Sequence, residues 1–123
     1  MTVLTWFLQA LMATLFLVHG LLMIAPPEAV MRRMRARGRA PDFSDSFRVF
    51  IGACEVLGAV GLVLPELTRI LPALTPLSAV CLTIIMVGAT RYHARRNEGR
   101  ITTVVLGLIC AGIAVLRWTV VPL

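Results

Sequence analysis

Four long stretches of this chain are almost wholly apolar, and the polar residues between them are gathered into short runs. The first stretch, Val3 to Ile24, reads VLTWFLQALMATLFLVHGLLMI. As a helix rising about 1.5 Å per residue, it is long enough to cross a hydrocarbon core of about 30 Å. A cleaved signal peptide is the competing reading. It lacks support, because no basic segment precedes the run, the run is too long, and no small-x-small site closes it. The APPE after it stops the helix, since proline cannot continue it.

Residues 25–45 form a polar loop, APPEAVMRRMRARGRAPDFSD. Within it, PPEAVMRRMRAR predicts a short surface helix opening on proline, its arginines against lipid headgroups. Ser44 and Asp45 are candidate N-caps for the next helix. The second apolar run is Phe47 to Leu64, closed by Pro65 and Glu66. The third extends from about Ile70 to His93, with Pro72 and Pro76 in its first turns, where proline is tolerated. The fourth is Ile101 to Leu123, and Asn97 and Gly99 make the turn before it. There is no β-type alternation. Short connections make antiparallel neighbours, so the pattern predicts one all-α domain over residues 1–123, an up-down four-helix bundle integral to a membrane.

Composition strengthens this. The chain is 59% hydrophobic, above the roughly 45–50% usual for soluble domains. Its net charge of +6 rests on twelve basic residues, all arginine. Ten of them, Arg32, Arg33, Arg35, Arg37, Arg39, Arg48, Arg91, Arg95, Arg96 and Arg100, fall on one side of the four spans. Arg69 and Arg117 fall on the other. Such clustering beside apolar runs is a topology signal and not a nucleic-acid-reading face. It predicts a multi-pass membrane protein with both termini outside the cytoplasm. Trp6 and Trp118 both fall at that outer face, where indole rings prefer the interface. Cys54, Cys81 and Cys110 lie in apolar runs without a C-x-x-C pair and behave as small hydrophobes.

Candidate chemistry is confined to a few intramembrane polar groups. Glu55 stands in FIGACEVLGAVGLVLPE, close to mid-membrane. A carboxylate there costs about 2.5–3.5 kcal/mol, so it needs a partner or a proton. Gly52, Gly58 and Ala59 share its helical face and let another helix approach, which turns Glu55 inward. The partners to expect are His19 on the first helix or Arg91 near the end of the third, with Thr14, Thr83 and Thr90 adding hydrogen bonds. Gln9 lies on the outer side, within reach of Arg117. Glu55 and His19 are the candidate catalytic pair. Glu55, His19, Arg91, Gly52, Thr14 and Thr83 are the candidate ligand-binding set. The bland reading stands beside this one: a buried Glu paired with His or Arg fixes helix register and nothing more. Two histidines at different depths disfavour haem, and without clustered carboxylates they disfavour a metal. No phosphate-cradling glycine loop or serine–histidine–carboxylate set is present.

The series at Gly52, Glu55, Gly58 and Gly61, the Leu64–Pro65 ending, LTPLSAV opening the third helix, MVGATRYHARR at its exit and FLVHGLLMI in the first helix together resemble the DoxX-like family of small four-helix membrane proteins. The resemblance covers nearly the whole chain and extends to Arg117 near its end. One common feature is missing: many relatives carry a lysine soon after the first-helix glycine, where this chain reads GLLMIAPP. The family includes a membrane subunit associated with thiosulfate:quinone oxidoreduction, members linked to oxidative-stress complexes, and an animal branch that assists nicotinic receptor assembly. The resemblance therefore makes quinone the cofactor to consider.

Three functions stand as expectations. The bundle holds a small lipophilic ligand or a partner membrane protein around Glu55. Alternatively, it is a membrane enzyme or quinone-linked redox subunit in which Glu55 accepts or donates a proton. In the third, it is a structural assembly subunit, as a homo-oligomer or with another membrane protein. A cavity lined by Glu55 and His19 would favour the first.

Overall fold

A computed structural model of the chain describes residues 2–38, 43–96 and 99–120. Each long apolar run becomes a helix: α1 (Thr2–Ile24), α3 (Asp45–Thr68), α4 (Leu74–Arg95) and α5 (Ile101–Val115). The last continues without a break into a π-helical segment, Leu116–Val120. Between α1 and α3 lies the short helix α2 (Glu28–Ala36), which opens after Pro27 and contains no buried residue. All the described secondary structure is helical, and four helices are long and apolar enough to cross a membrane.

Local chemistry explains most boundaries. Ser44 caps α3, its Oγ accepting from the Phe47 amide at 3.2 Å. The helix runs past the expected stop at Leu64, because Pro65 falls in its last turn. There a missing N–H deprives only one carbonyl of its usual donor. Arg69, with φ of 60°, then ends it in the left-handed cap conformation. Consequently α4 begins at Leu74, later than expected. Pro72 lies in the turn, where its carbonyl accepts from the Thr75 amide, and Pro76 is the third helical residue. Gly99 precedes α5 as expected, whereas Asn97 lies outside the described residues, as do residues 121–123 at the end of the fourth run.

The helices pack in chain order. α1 lies along α3, α4 packs on α3 and α5, and α5 returns to touch α1. The core is built from Met12 and Phe16 of α1, Ala59 and Leu62 of α3, Ala79, Leu82 and Met86 of α4, and Cys110, Ile113 and Ala114 of α5. Large apolar side chains such as Phe7, Leu57, Ile84 and Leu108 cover the outside. Water would not tolerate so large an apolar surface, whereas lipid does.

Among the described residues the most extensive seam is α1 against α3. A Cβ placed on Gly20 would lie 2.8 Å from the carbonyl oxygen of Gly52, and one on Gly52 would lie 2.7 Å from that of Gly20. The two backbones touch. The glycines of α3 do not form the single packing face that their spacing suggests. Gly52 faces α1, while Gly58 meets Leu82 and Gly61 meets Ser78, both on α4. Three residues advance a helix by about 300°, so a three-residue repeat drifts around it and serves two neighbours.

At the arginine-rich end, Arg48 donates to the Met23 carbonyl, one of the last-turn carbonyls that α1 leaves without a helical partner. Arg96 donates to the Tyr92 hydroxyl and, at 3.1 Å, to the Gly38 carbonyl. Phe43 packs on Tyr92 at 5.3 Å between ring centres. Both polar connections are thereby tied together at one end of the bundle.

Gly20→Ala or Gly52→Ala should destabilise the protein in detergent by about 1–3 kcal/mol, the usual cost of overpacking. Gly112→Ala, with open space around its added methyl, should be neutral or slightly stabilising. Thermal unfolding of the three variants checks this contrast.

Candidate functional site

Glu55 points from α3 into the α1 seam and is 1% exposed. Its Oε2 lies 2.8 Å from Nδ1 of His19. His19 directly precedes Gly20, so the backbone contact at Gly20 and Gly52 sets the spacing that lets the two side chains meet. With the carboxyl ionised and the imidazole neutral, Nδ1–H donates and Nε2 keeps a lone pair. The imidazole itself is 60% exposed on the outer face of α1. A hydrogen bond to a charged acceptor is worth about 1.5–3 kcal/mol, comparable to the cost of placing the acid in the membrane.

A second polar cluster lies nearer the opposite end. Arg117, in the π-helical segment, is 3% exposed. Its Nε donates to Gln9 Oε1 at 2.6 Å and its Nη1 lies 2.8 Å from Glu66 Oε1. Gln9 Nε2 donates in turn to the Leu62 carbonyl at 2.6 Å and to Glu66 Oε2 at 3.1 Å. The guanidinium also sits over Trp6, 5.3 Å from the ring centre. The Gln9–Arg117 contact matches the expected reach, but Glu66 is an addition that sequence reasoning missed. Reading Pro65–Glu66 as the end of a span placed that acid in a loop. The signal was its spacing: Glu66 follows Glu55 by three helical turns, which returns it to the same face.

The remaining candidates are dispersed. Gly52 adjoins the Glu55 pair. No hydrogen bond or ion pair links Arg91 to Glu55. Arg91 instead lines a groove of about 280 Å³ between α4 and α5, together with Thr83. A second concavity of about 330 Å³ lies on α2, between Val30, Arg33, Met34 and Arg37. Neither cavity touches Glu55 or His19. Thr14 is exposed on α1, with its hydroxyl bonded to the Ala10 carbonyl of its own helix. Among the described residues, no three His, Cys, Asp or Glu side chains converge as metal ligands.

Against this geometry the comparison with known families is decisive. The profile of the DoxX-like family matches residues 7–116. The chain belongs to the DoxX-like family. No curated protein and no solved structure gave a match. In this DoxX-like chain the matched region contains Gln9, His19, Glu55, Glu66 and Arg91, and stops one residue short of Arg117. Membership explains the four apolar helices and their bilayer environment, and leaves the chemistry of the two polar clusters to be argued from their geometry.

Removing one partner of a buried ion pair leaves the other uncompensated. Arg117→Met should therefore destabilise the protein by about 3 kcal/mol, and combining it with Glu66→Leu should recover most of the loss. A double-mutant cycle by denaturant unfolding in micelles measures this.

Proposed function

We propose that this DoxX-like protein binds a small lipophilic molecule bearing a hydroxyl or similar donor, at the His19–Glu55 pair. The observation that carries the reading is the split in exposure across one hydrogen bond. The carboxyl is buried and the ring is open. Glu55 holds the imidazole through Nδ1, and the exposed ring, when neutral, offers Nε2 to the apolar exterior as an acceptor. No described residue hydrogen-bonds to Nε2. In a low-dielectric setting an acceptor of this kind has no water to compete with its ligand, so each hydrogen bond counts for more. A donor group from a partner membrane protein is the alternative occupant of the same position.

The same dyad supports a second reading, a proton-accepting role toward a quinol or other phenol. The hydroxyl proton would pass to Nε2 while the Nδ1 proton moves onto the Glu55 carboxylate, leaving the imidazole neutral throughout. The family resemblance favours that chemistry, and the hydrogen-bonded geometry permits it. The arginine distribution supports both termini on the non-cytoplasmic side, and the family resemblance points to a bacterial inner membrane.

The test is extraction of wild-type protein purified in mild detergent, with the lipophilic molecules identified by mass spectrometry. His19→Phe, which keeps a ring but removes the acceptor, should retain at least tenfold less of the specific molecule. Glu55→Gln should show an intermediate loss, because an amide holds the ring without charge. Equal content in all three proteins would sink the binding reading. A wild type that carries nothing, beside variants that unfold, would leave the pair a purely structural one.

A further inference from the structure

The groove between α4 and α5 has the makings of a separate site. It follows Thr83 to Arg91 on α4 and Thr103 to Ala111 on α5. The eight steps along each helix span about 12 Å, close to the roughly 15 Å that one leaflet contributes to the hydrocarbon core. Its floor is low because α5 presents Gly107 there, where an added Cβ would come within 3.2 Å of Met86 Cβ. The hydroxyls along it are already engaged. Thr83 donates to the Ala79 carbonyl at 2.8 Å, Thr90 to Met86 at 2.8 Å, and Thr103 to Arg100 at 2.9 Å. Across the two helices the Thr90 and Thr103 hydroxyls lie 2.9 Å apart, where Thr90 donates to Thr103 as the alternative to Met86. What these threonines show to the groove is therefore chiefly methyl groups.

Arg91 is the exception. It is exposed at the arginine-rich end of the groove, and no described residue hydrogen-bonds or ion-pairs with it. A guanidinium at that level carries strong, unspent donors suited to phosphate. Arg95 and Arg100 stand near it along the chain, both exposed. An apolar channel of leaflet depth with a cation at its headgroup end matches one chemistry: a hydrocarbon chain terminated by an anion.

We propose that the α4/α5 groove seats an acyl chain of an anionic phospholipid, with Arg91 binding its phosphate. The site is distinct from the His19–Glu55 pair and stands independently of the reading given to that pair. It gives Arg91 and Thr83 a joint role away from Glu55. The chain lies over Gly107 and is flanked by Val87 and Leu108, and the headgroup meets Arg91 where lipid gives way to water.

Native mass spectrometry of the intact protein, titrated with phosphatidylglycerol or with phosphatidylcholine of identical chains, tests the proposal. The expected result is preferential retention of phosphatidylglycerol. Arg91→Gln should reduce its binding about fivefold, the worth of one arginine at the headgroup surface, and Arg95→Gln should leave it within twofold. Ala111→Phe, which fills the groove, should weaken both lipids; Val105→Phe, on the exposed side of α5 away from the groove, is its folding control. Equal binding of the two lipids by wild type, or an unchanged preference in Arg91→Gln, overturns the proposal. So does a cysteine placed at residue 108 that cross-links efficiently to a second copy, since the groove would then be a helix-docking face.

Discussion

Two backbones come into contact at Gly20 of α1 and Gly52 of α3, and the polar chemistry depends on it. In lipid there is no hydrophobic force to press helices together, so association rests on van der Waals contact and hydrogen bonds across the seam. Small residues permit the contact. Side chains on either side of it then meet at hydrogen-bonding distance: His19 with Glu55 nearby, and Gln9 with Leu62 and Glu66 several turns away. A bulkier residue at position 20 or 52 would push the helices apart and lengthen the first of these bonds before it disturbed the core. The seam and the acid are one design, because an unpartnered carboxyl near mid-membrane would oppose the packing that buries it.

Helix α3 carries this arrangement because it is shared. One face meets α1 and the opposite face meets α4, with Gly58 and Gly61 admitting Leu82 and Ser78. Glu55 and Glu66 lie three turns apart on that helix and engage partners from different elements. His19 comes from α1, while Arg117 comes from the π-helical segment after α5. The outer cluster thus connects α1, α3 and the end of α5 through one guanidinium. It closes a bundle whose direct α5–α1 packing is otherwise slight. π-helical turns are frequent at functional sites, and here the segment includes the buried Arg117.

Much of this was legible in the chain itself. Four apolar runs of spanning length, short polar connections and arginines gathered on one side yield the helical membrane fold without further information. The inward direction of Glu55 could be read from small residues three and four positions away. The choice between His19 and Arg91 as its partner could not, because both lie toward the arginine-rich end. What separates them is the pairing of α1 with α3 at Gly20, a tertiary fact that periodicity does not encode. Glu66 was hidden by a local rule applied too firmly. Proline does end helices, but one in the final turn removes only a single hydrogen bond, and the acid after it remains helical. The glycine series misled in a subtler way. Its spacing of three looks like one stripe in sequence and winds onto two neighbours in space.

The outward position of the His19 ring has a kinetic meaning. A group that opens sideways from a membrane helix, and not along the bundle axis, is met by molecules moving within the plane of the bilayer. Encounter is then governed by how many such molecules occupy each unit of membrane area and by how fast they diffuse in two dimensions. Aqueous solubility drops out, and partitioning becomes the first selection step. For the binding proposed at that ring, a weak hydrogen bond suffices, because the membrane has already concentrated the ligand.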